Sequence, residues 1–475
     1  ATTAAALAPA RYFDQRLDHF DGSNPTNWSQ AYYVNDTFWT GAEGSPVFLC
    51  VGGEGPAFDG TVVGGGGGSV HCNNAAEWLE EKGAIMFAVQ HRYYGCNGGP
   101  AADMKDCPVA RWTSDVNADL HFLSSHQALA DLANFHAYAT AKYDLAPDAK
   151  WISWGGSYPG MLAAWVRLKF PNLIHAAVSS SAPVRAKVEM TEYNNIAAAA
   201  YSVASVGGSA ACTAAITAGH AKIGAMMNTS SGRDALASQF HLAEGSAWLA
   251  ERANQRAFAG EGVAYFPSQG NDPSSTQPMS NIALICATMI NATLGDEVAR
   301  LALVSKGQGG QTGLKATRST SPRARRARRN FNNANSMPDF WGWQTCTEFA
   351  FYQTCDVDST CMYTRGLDLL EDEMAFCQTD FKIPMALVEQ NVAQTNVRTG
   401  SDHPAGSRVL WVNGEVDPWH GLSVLKPLSP SMPAIWVKGA SHHAWTHPSP
   451  DCTQDTVIKA RADIRAQVEQ WLESA

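Results

Sequence analysis

The chain is short of charge, of long apolar runs and of closely paired cysteines, and each shortage closes off a class of protein. Only 16% of its 475 residues are Asp, Glu, Lys or Arg, against 45% hydrophobic. That balance is too apolar for a disordered chain and ample for a large buried core. No apolar run approaches the ~20 residues a membrane-spanning helix needs, so no membrane span is expected. The formal net charge of −10 argues against nucleic acid as a partner, because phosphate backbones call for a basic face. No two cysteines stand in the CxxC spacing of a zinc site, and no phosphate-cradling glycine loop is visible. Neither a metal nor a cofactor is therefore expected. No internal repeat is evident, and the length alone suggests about two or three domains.

What is present points to an oxidising compartment. There are eleven cysteines, and N-x-S/T sequons begin at Asn27, Asn35, Asn228 and Asn291. Together these favour the secretory pathway, with a secreted or lysosomal/vacuolar destination. The opening Ala-Thr-Thr-Ala-Ala-Ala-Leu lacks a charged n-region and reads as a mature terminus left after signal-peptide removal. An odd count leaves one thiol over. Cys50 is the expected free one, since it sits in the apolar run Val47–Val51, which reads as a buried strand.

The first third alternates strand-length apolar runs (47–51, 84–90, 151–154, 174–179) with helical patterns (125–143, 161–170). That alternation predicts a mostly parallel sheet covered on both faces. From about residue 185 the texture turns Ala-rich and helical (196–204, 210–227, 234–256). Strand-like runs return at 408–413 and 434–438, and a closing amphipathic helix at 455–472. The expected organisation is a discontinuous α/β core, 1–184 and 395–475, interrupted by a mainly helical cap over 185–394. Two stretches read as surface loops: the glycine run 64–68, and 306–329, which starts Gly/Gln-rich and ends in an Arg-rich run open to a basic-specific protease.

Residues 151–161 read Trp-Ile-Ser-Trp-Gly-Gly-Ser-Tyr-Pro-Gly-Met. A strand enters a glycine-bearing turn, Ser157 sits at its tip, and a helical pattern leaves, which is the setting of a nucleophile elbow. Small neighbours are required there because the serine's backbone is strained. Pro159 departs from the usual G-x-S-x-G form, and Gly160 follows it. Hydrolases of this design carry Ser, Asp/Glu and His in that chain order. Downstream, the run 408–413 leads to Glu415 and Asp417, and 434–438 leads to His442 and His443. All lie in glycine-bearing loops just past a strand, where such sheets gather functional groups. Asp417 and His442 are preferred by position, with Glu415 and His443 as alternatives.

The segments 13–20 (FDQRLDHF), 52–56 (GGEGP), 91–95 (HRYYG), 127–135 (QALADLANF), 155–169 (GGSYPGMLAAWVRLK), 343–348 (WQTCTE), 413–419 (NGEVDPW) and 439–443 (GASHH) resemble the S28 serine carboxypeptidase family. The likeness runs from near residue 11 to near 450, and the stretch WGWQTCTEFAFYQTC is similar to the family's thymus-specific branch. The resemblance implies an α/β-hydrolase fold with an inserted helical cap, with Ser157 as nucleophile, Asp417 as acid and His442 as base. Pro159 fits the family's Gly-Gly-Ser-Tyr-x-Gly form. Trp445 is a departure, since an acidic residue often stands three positions after the base. With the fold, the expected oxyanion donors are the backbone N–H groups of Tyr158 and of the 52–55 loop, Gly53 in particular. Met161 and Trp419 are expected to line the pocket for the residue before the scissile bond, and Glu54 is a further substrate-binding candidate. The implied activity is peptide-bond hydrolysis through an acyl-enzyme, as an exopeptidase cutting after proline or a small residue. A prolyl endopeptidase, an esterase or lipase on the same fold, or a catalytically silent binder are the alternatives. Peptides are the expected partners, and a homodimer stays open.

Overall fold

The computed structural model describes residues 8–64, 71–98, 105–310 and 337–474. Eight strands form one sheet: β1 (Arg11–Arg16), β2 (Asn27–Asn35), β3 (Val47–Val51), β4 (Ile85–Val89), β5 (Trp151–Gly156), β6 (Ala176–Ser180), β9 (Val409–Gly414) and β10 (Ala434–Val437). Their order is β1-β2-β4-β3-β5-β6-β9-β10. The β1–β2 and β2–β4 pairs are antiparallel and all others are parallel. This is the α/β-hydrolase arrangement, and every strand of the main sheet comes from outside residues 185–394.

Period-two alternation sorts the central strands between two cores. Val47, Leu49 and Val51 join Phe87, Trp151 and Trp411 on one face, beneath the helices Ser125–Lys142 and Tyr158–Lys169. Phe48 and Cys50 join Met86, Trp154 and Val412 on the other, against the closing helix Asp455–Glu473. Both faces being covered, β3 through β6 are buried throughout and mainly apolar, with Ser153, Ser179 and Ser180 the polar exceptions.

The region 185–394 is mainly helical but less self-contained than the Ala-rich texture suggests. Residues 198–304 and 355–363 gather a separate core around Ile216, Ile223, Phe258, Ile285 and Leu301. Residues 340–352 and 374–392 pack instead on Tyr93, Tyr94, Leu120 and Leu123 of the first third. A short parallel ribbon, β7 (Lys187–Glu189) with β8 (Ala350–Tyr352), joins the two ends. The expected helix over 234–256 is broken: Gly245, at φ 74°, turns the chain between Ser230–Gln239 and Arg252–Ala259.

The thiol expectation is overturned. Cys50 pairs with Cys72, and the other bridges are 96–107, 212–286, 346–377 and 355–361. The odd cysteine is Cys452, buried with its Sγ 3.4 Å from Arg461 Nη1. A buried strand position therefore did not mark the free thiol, because Cys50 points from the sheet onto the segment that follows the glycine run. Residues 65–68 of that run and 311–329 of the Arg-rich stretch lie outside the described residues, while 306 and 307 close the helix Glu297–Gly307. Among the described residues, no helix is long and apolar enough to cross a membrane.

Candidate active site

Four loops leave the C-terminal edge of the parallel strands side by side: 52–55 after β3, Ser157 after β5, Asp417 after β9 and His442 after β10. Ser157 has φ 64° and ψ −132°, a conformation that a side-chain-bearing residue adopts only under constraint. The constraint is visible. Its N–H donates to Ser180 O at 2.9 Å, and its C=O accepts from Met161 N at 3.0 Å. A Cβ at Gly155 would stand 2.2 Å from Pro159 O, and one at Gly160 would stand 2.8 Å from Ser180 O. The close approach thus falls at Gly160, one residue later than the usual spacing. Pro159 sits in the first helical turn, where a missing N–H breaks no bond, and its ring lies against Gly53. The Gly53 loop and the helix N-terminus are therefore in direct contact. Neither the Tyr158 N–H nor the Gly53 N–H has an acceptor among the described residues.

Asp417 is completely buried, and its Oδ1 accepts from Trp419 N at 3.0 Å. Its Oδ2 lies 2.9 Å from His442 Nδ1. A carboxylate can only accept, so Nδ1 carries the proton and Nε2 keeps its lone pair. That Nε2 is buried and without a partner. The alternatives are occupied elsewhere. Glu415 Oε2 accepts from Gly439 N at 2.7 Å, bracing the loop that leads to His442. The His443 ring bonds Thr446 Oγ1 at 3.1 Å and rests on the face of Gly156. Burial pushes the His443 imidazole well below its usual range, and pushes nearby His71 down to about 4. Trp445 is also no rim residue: it is fully buried, and its Nε1 donates to Ser180 Oγ at 2.9 Å.

Glu54 follows Gly53 in the same loop. Its Oε2 is buried with no hydrogen-bond partner, and burial raises the carboxyl to about 7, partly offset by His442. Trp419 keeps some exposure and packs edge-on against Tyr193 and Phe351, with ring centroids at 5.2 and 5.5 Å. Met161 differs from expectation. It has no exposed surface and belongs to the core under the sheet.

Ser268 and Gln269 gave no local sequence signal, because each acts across the fold. Ser268 Oγ donates to Val416 O at 2.6 Å, beside Asp417, and Gln269 O accepts from His442 N at 3.0 Å. The inserted region thus holds both loops of the pair. Below Tyr158, Gln344 Nε2 donates to the phenol oxygen at 2.9 Å and to Glu348 Oε2 at 3.0 Å. The Tyr158 hydroxyl proton is then left for His91 Nε2 at 2.9 Å, which fits a neutral His91 whose Nδ1–H donates to Arg92 O. Burial lowers His91 to about 4, which keeps it neutral. This accounts for two motifs, HRYYG and WQTCTE: they anchor Tyr158, the residue that follows Ser157.

Sheet order, elbow and His–Asp pair together define a serine hydrolase of the α/β-hydrolase class. Comparison with known sequences narrows this. The family described as Serine carboxypeptidase S28 matches residues 15–464, and the chain belongs to it. It is therefore a serine-type peptidase. The chain is 32% identical to the human thymus-specific serine protease over 99% of its length and 88% of the relative's. It is 24% identical to the human lysosomal Pro-X carboxypeptidase, covering 97% and 88%. Among solved structures, a Vigna radiata epoxide hydrolase aligns over 97% of this chain and 99% of its own, at 8% identity and TM-score 0.35; the fold assignment stands on the strand order above.

Proposed function

We propose that Ser157 attacks the peptide carbonyl, with His442 as base and Asp417 as the group that orients and stabilises it. The observation that carries this reading is the 2.9 Å His442–Asp417 bond, which leaves Nε2 unpartnered while Ser157 is held in a strained turn. His442 Nε2 takes the Ser157 hydroxyl proton as Oγ bonds the carbonyl carbon, and the carbonyl oxygen becomes an oxyanion. The N–H groups of Tyr158 and Gly53 receive that charge. The imidazolium then protonates the leaving amine, the C–N bond breaks, and an acyl-enzyme remains on Ser157. Water, deprotonated by His442, releases the acid and restores the serine.

The residue before the cut is proline or a small side chain in this reading, and the enzyme is an exopeptidase. Trp419, edged by Tyr193 and Phe351, offers a flat apolar wall suited to a compact ring that loses little entropy on binding. A long charged side chain there would bury its charge without a partner. The relative named Pro-X carboxypeptidase points the same way. Glu54, beside the oxyanion loop, is assigned to substrate binding. Five disulfides and the lysosomal relative support a secreted or lysosomal location.

The test combines fluorophosphonate labelling with mass spectrometry of products from a mixed peptide library. Ser157→Ala is expected to abolish labelling and leave only the residual turnover due to binding and the oxyanion hole. A folded Ser157→Ala protein with near-normal turnover would refute the mechanism. Ester turnover with no peptide product would favour the esterase alternative.

A further inference from the structure

The inserted region places one polar side chain at the edge of the proposed slot. Gln269 Oε1 accepts two hydrogen bonds, from Trp419 Nε1 at 3.1 Å and from the Tyr193 hydroxyl at 2.7 Å. An indole N–H can only donate, so the orientation of this amide is fixed: its oxygen faces Trp419 and its NH2 faces away. Two N–H donors are left, and no acceptor for them occurs among the described residues. The residue is partly buried, and its carbonyl holds the His442 backbone at 3.0 Å. The Trp419 and His442 rings are 6.4 Å apart. The free amide donors therefore stand beside the wall that receives the residue before the cut, on a backbone tied to the base.

We infer that Gln269 is a specificity-determining residue whose side-chain NH2 donates to a main-chain carbonyl of the peptide substrate, the one on the residue preceding that held by Trp419. This inference takes the peptidase reading as its premise. An extended peptide has a carbonyl oxygen one residue outward from the slot, and a small ester has none. The contact thus selects acyl chains of at least two residues. A neutral amide donor suits a neutral carbonyl, which a lysine or arginine at this place would not match as selectively over a carboxylate. Trp419 and Tyr193 hold the amide in place before substrate arrives, which lowers the entropy lost on binding. The contact also couples chain length to the base, because one residue touches the substrate and supports His442.

The experiment compares the best-cleaved library peptide with the same peptide carrying a thioamide in place of that carbonyl, since sulfur is a weaker acceptor. Wild-type kcat/KM is expected to fall about tenfold on thioamide replacement, the size of one good neutral hydrogen bond. Gln269→Glu keeps an oxygen for Trp419 and Tyr193 but removes the amide donors, and its oxo/thio ratio is expected to drop to about one. Gln269→Met, which lacks both groups, should give the same ratio. Because the ratio is measured within one protein, it is indifferent to how much overall activity a substitution removes. A ratio in Gln269→Glu and Gln269→Met equal to the wild-type value overturns the inference, as does a wild-type ratio near one. A wild type that labels with fluorophosphonate yet cleaves no peptide overturns the peptidase reading and this inference with it, whereas peptide cleavage with an unaltered ratio overturns the inference alone.

Discussion

Replacing Gly53 by alanine tests the proposed oxyanion hole more sharply than removing the nucleophile. A Cβ at this position would lie 2.3 Å from Pro159 Cγ and 2.5 Å from its Cδ. Carbon atoms in good contact sit ~3.5–4.0 Å apart, so one partner must retreat by roughly 1.2 Å or more. The helix side is held: Gly160 has no space against Ser180 O, and Ser157 N is bonded to the same carbonyl. The 52–55 loop is the part that moves. A hydrogen bond near 2.9 Å stretched by about 1.2 Å is no longer one. The expected loss is that of one oxyanion donor, on the order of 10²–10³ in kcat. KM for a small ester should change little, because the donor acts mainly in the transition state. The overpacking should also destabilise the fold by about 1–3 kcal/mol, visible as a lower Tm. Steady-state kinetics with p-nitrophenyl acetate, read beside Tm, separates the two effects. A Gly53→Ala enzyme with lowered Tm and kcat within about threefold of wild type would refute the assignment of Gly53 as a donor.

Three further outcomes are expected. Trp419→Ala should reduce the preference for proline over leucine before the cut, measured as a ratio of kcat/KM, while fluorophosphonate labelling persists; a wild-type preference for Lys or Glu would refute the apolar slot. Stability should fall as pH rises from about 6.5 to about 8.5. Burial raises Glu54 to about 7 and Asp106 to about 8, so the folded state keeps protons that the unfolded chain has already lost. Histidines 71 and 91, lowered to about 4, act in the opposite sense but only below their unfolded value of 6.5, and leave the upper window to the carboxyls. Glu54→Gln and Asp106→Asn should flatten the fall in Tm, and a Tm that rises across that window would contradict this. Finally, Cys50→Ala should cost roughly 3 kcal/mol through loss of the bridge to Cys72, whereas Cys452→Ala should cost less; denaturant unfolding of the two variants decides it, and the reverse order would refute the pairing.

Much of this protein is set by short-range pattern. The alternation of apolar runs in the first third predicts β3, β4, β5 and β6 and the helices Ser125–Lys142 and Tyr158–Lys169, because a strand buried on both faces is mainly apolar and a helix sandwiched against it must repeat at its own period. The elbow at Ser157 is legible for the same reason: the strained turn needs glycines at fixed distances, and those glycines are written next to the serine. Segment resemblance adds the order Ser157, Asp417, His442 and the family. What local pattern leaves undecided is each choice that depends on which groups meet. Glu415 and Asp417 both carry carboxylates and stand two residues apart, yet only the latter faces His442, because the 3-10 turn at Pro418–Leu422 is capped by its carboxylate and Glu415 turns to Gly439. Cys50 and Cys452 are both buried, and no single-residue property says which finds Cys72. Met161 and Trp419 share one expectation, and the sheet buries the first while the inserted region frames the second. Gln269 lies in a loop without periodicity and became visible only when folding brought residue 269 to the loops at 419 and 442. Sequence alone determined β3, β4, β5, β6, β9 and β10, the elbow and the family, since these are local or repeated demands on residue type, whereas the antiparallel strands β1 and β2 were not among its expectations. Tertiary structure decided the partners, because a hydrogen bond or a disulfide is a relation between two places in the chain, and only the packed fold brings them to the same point.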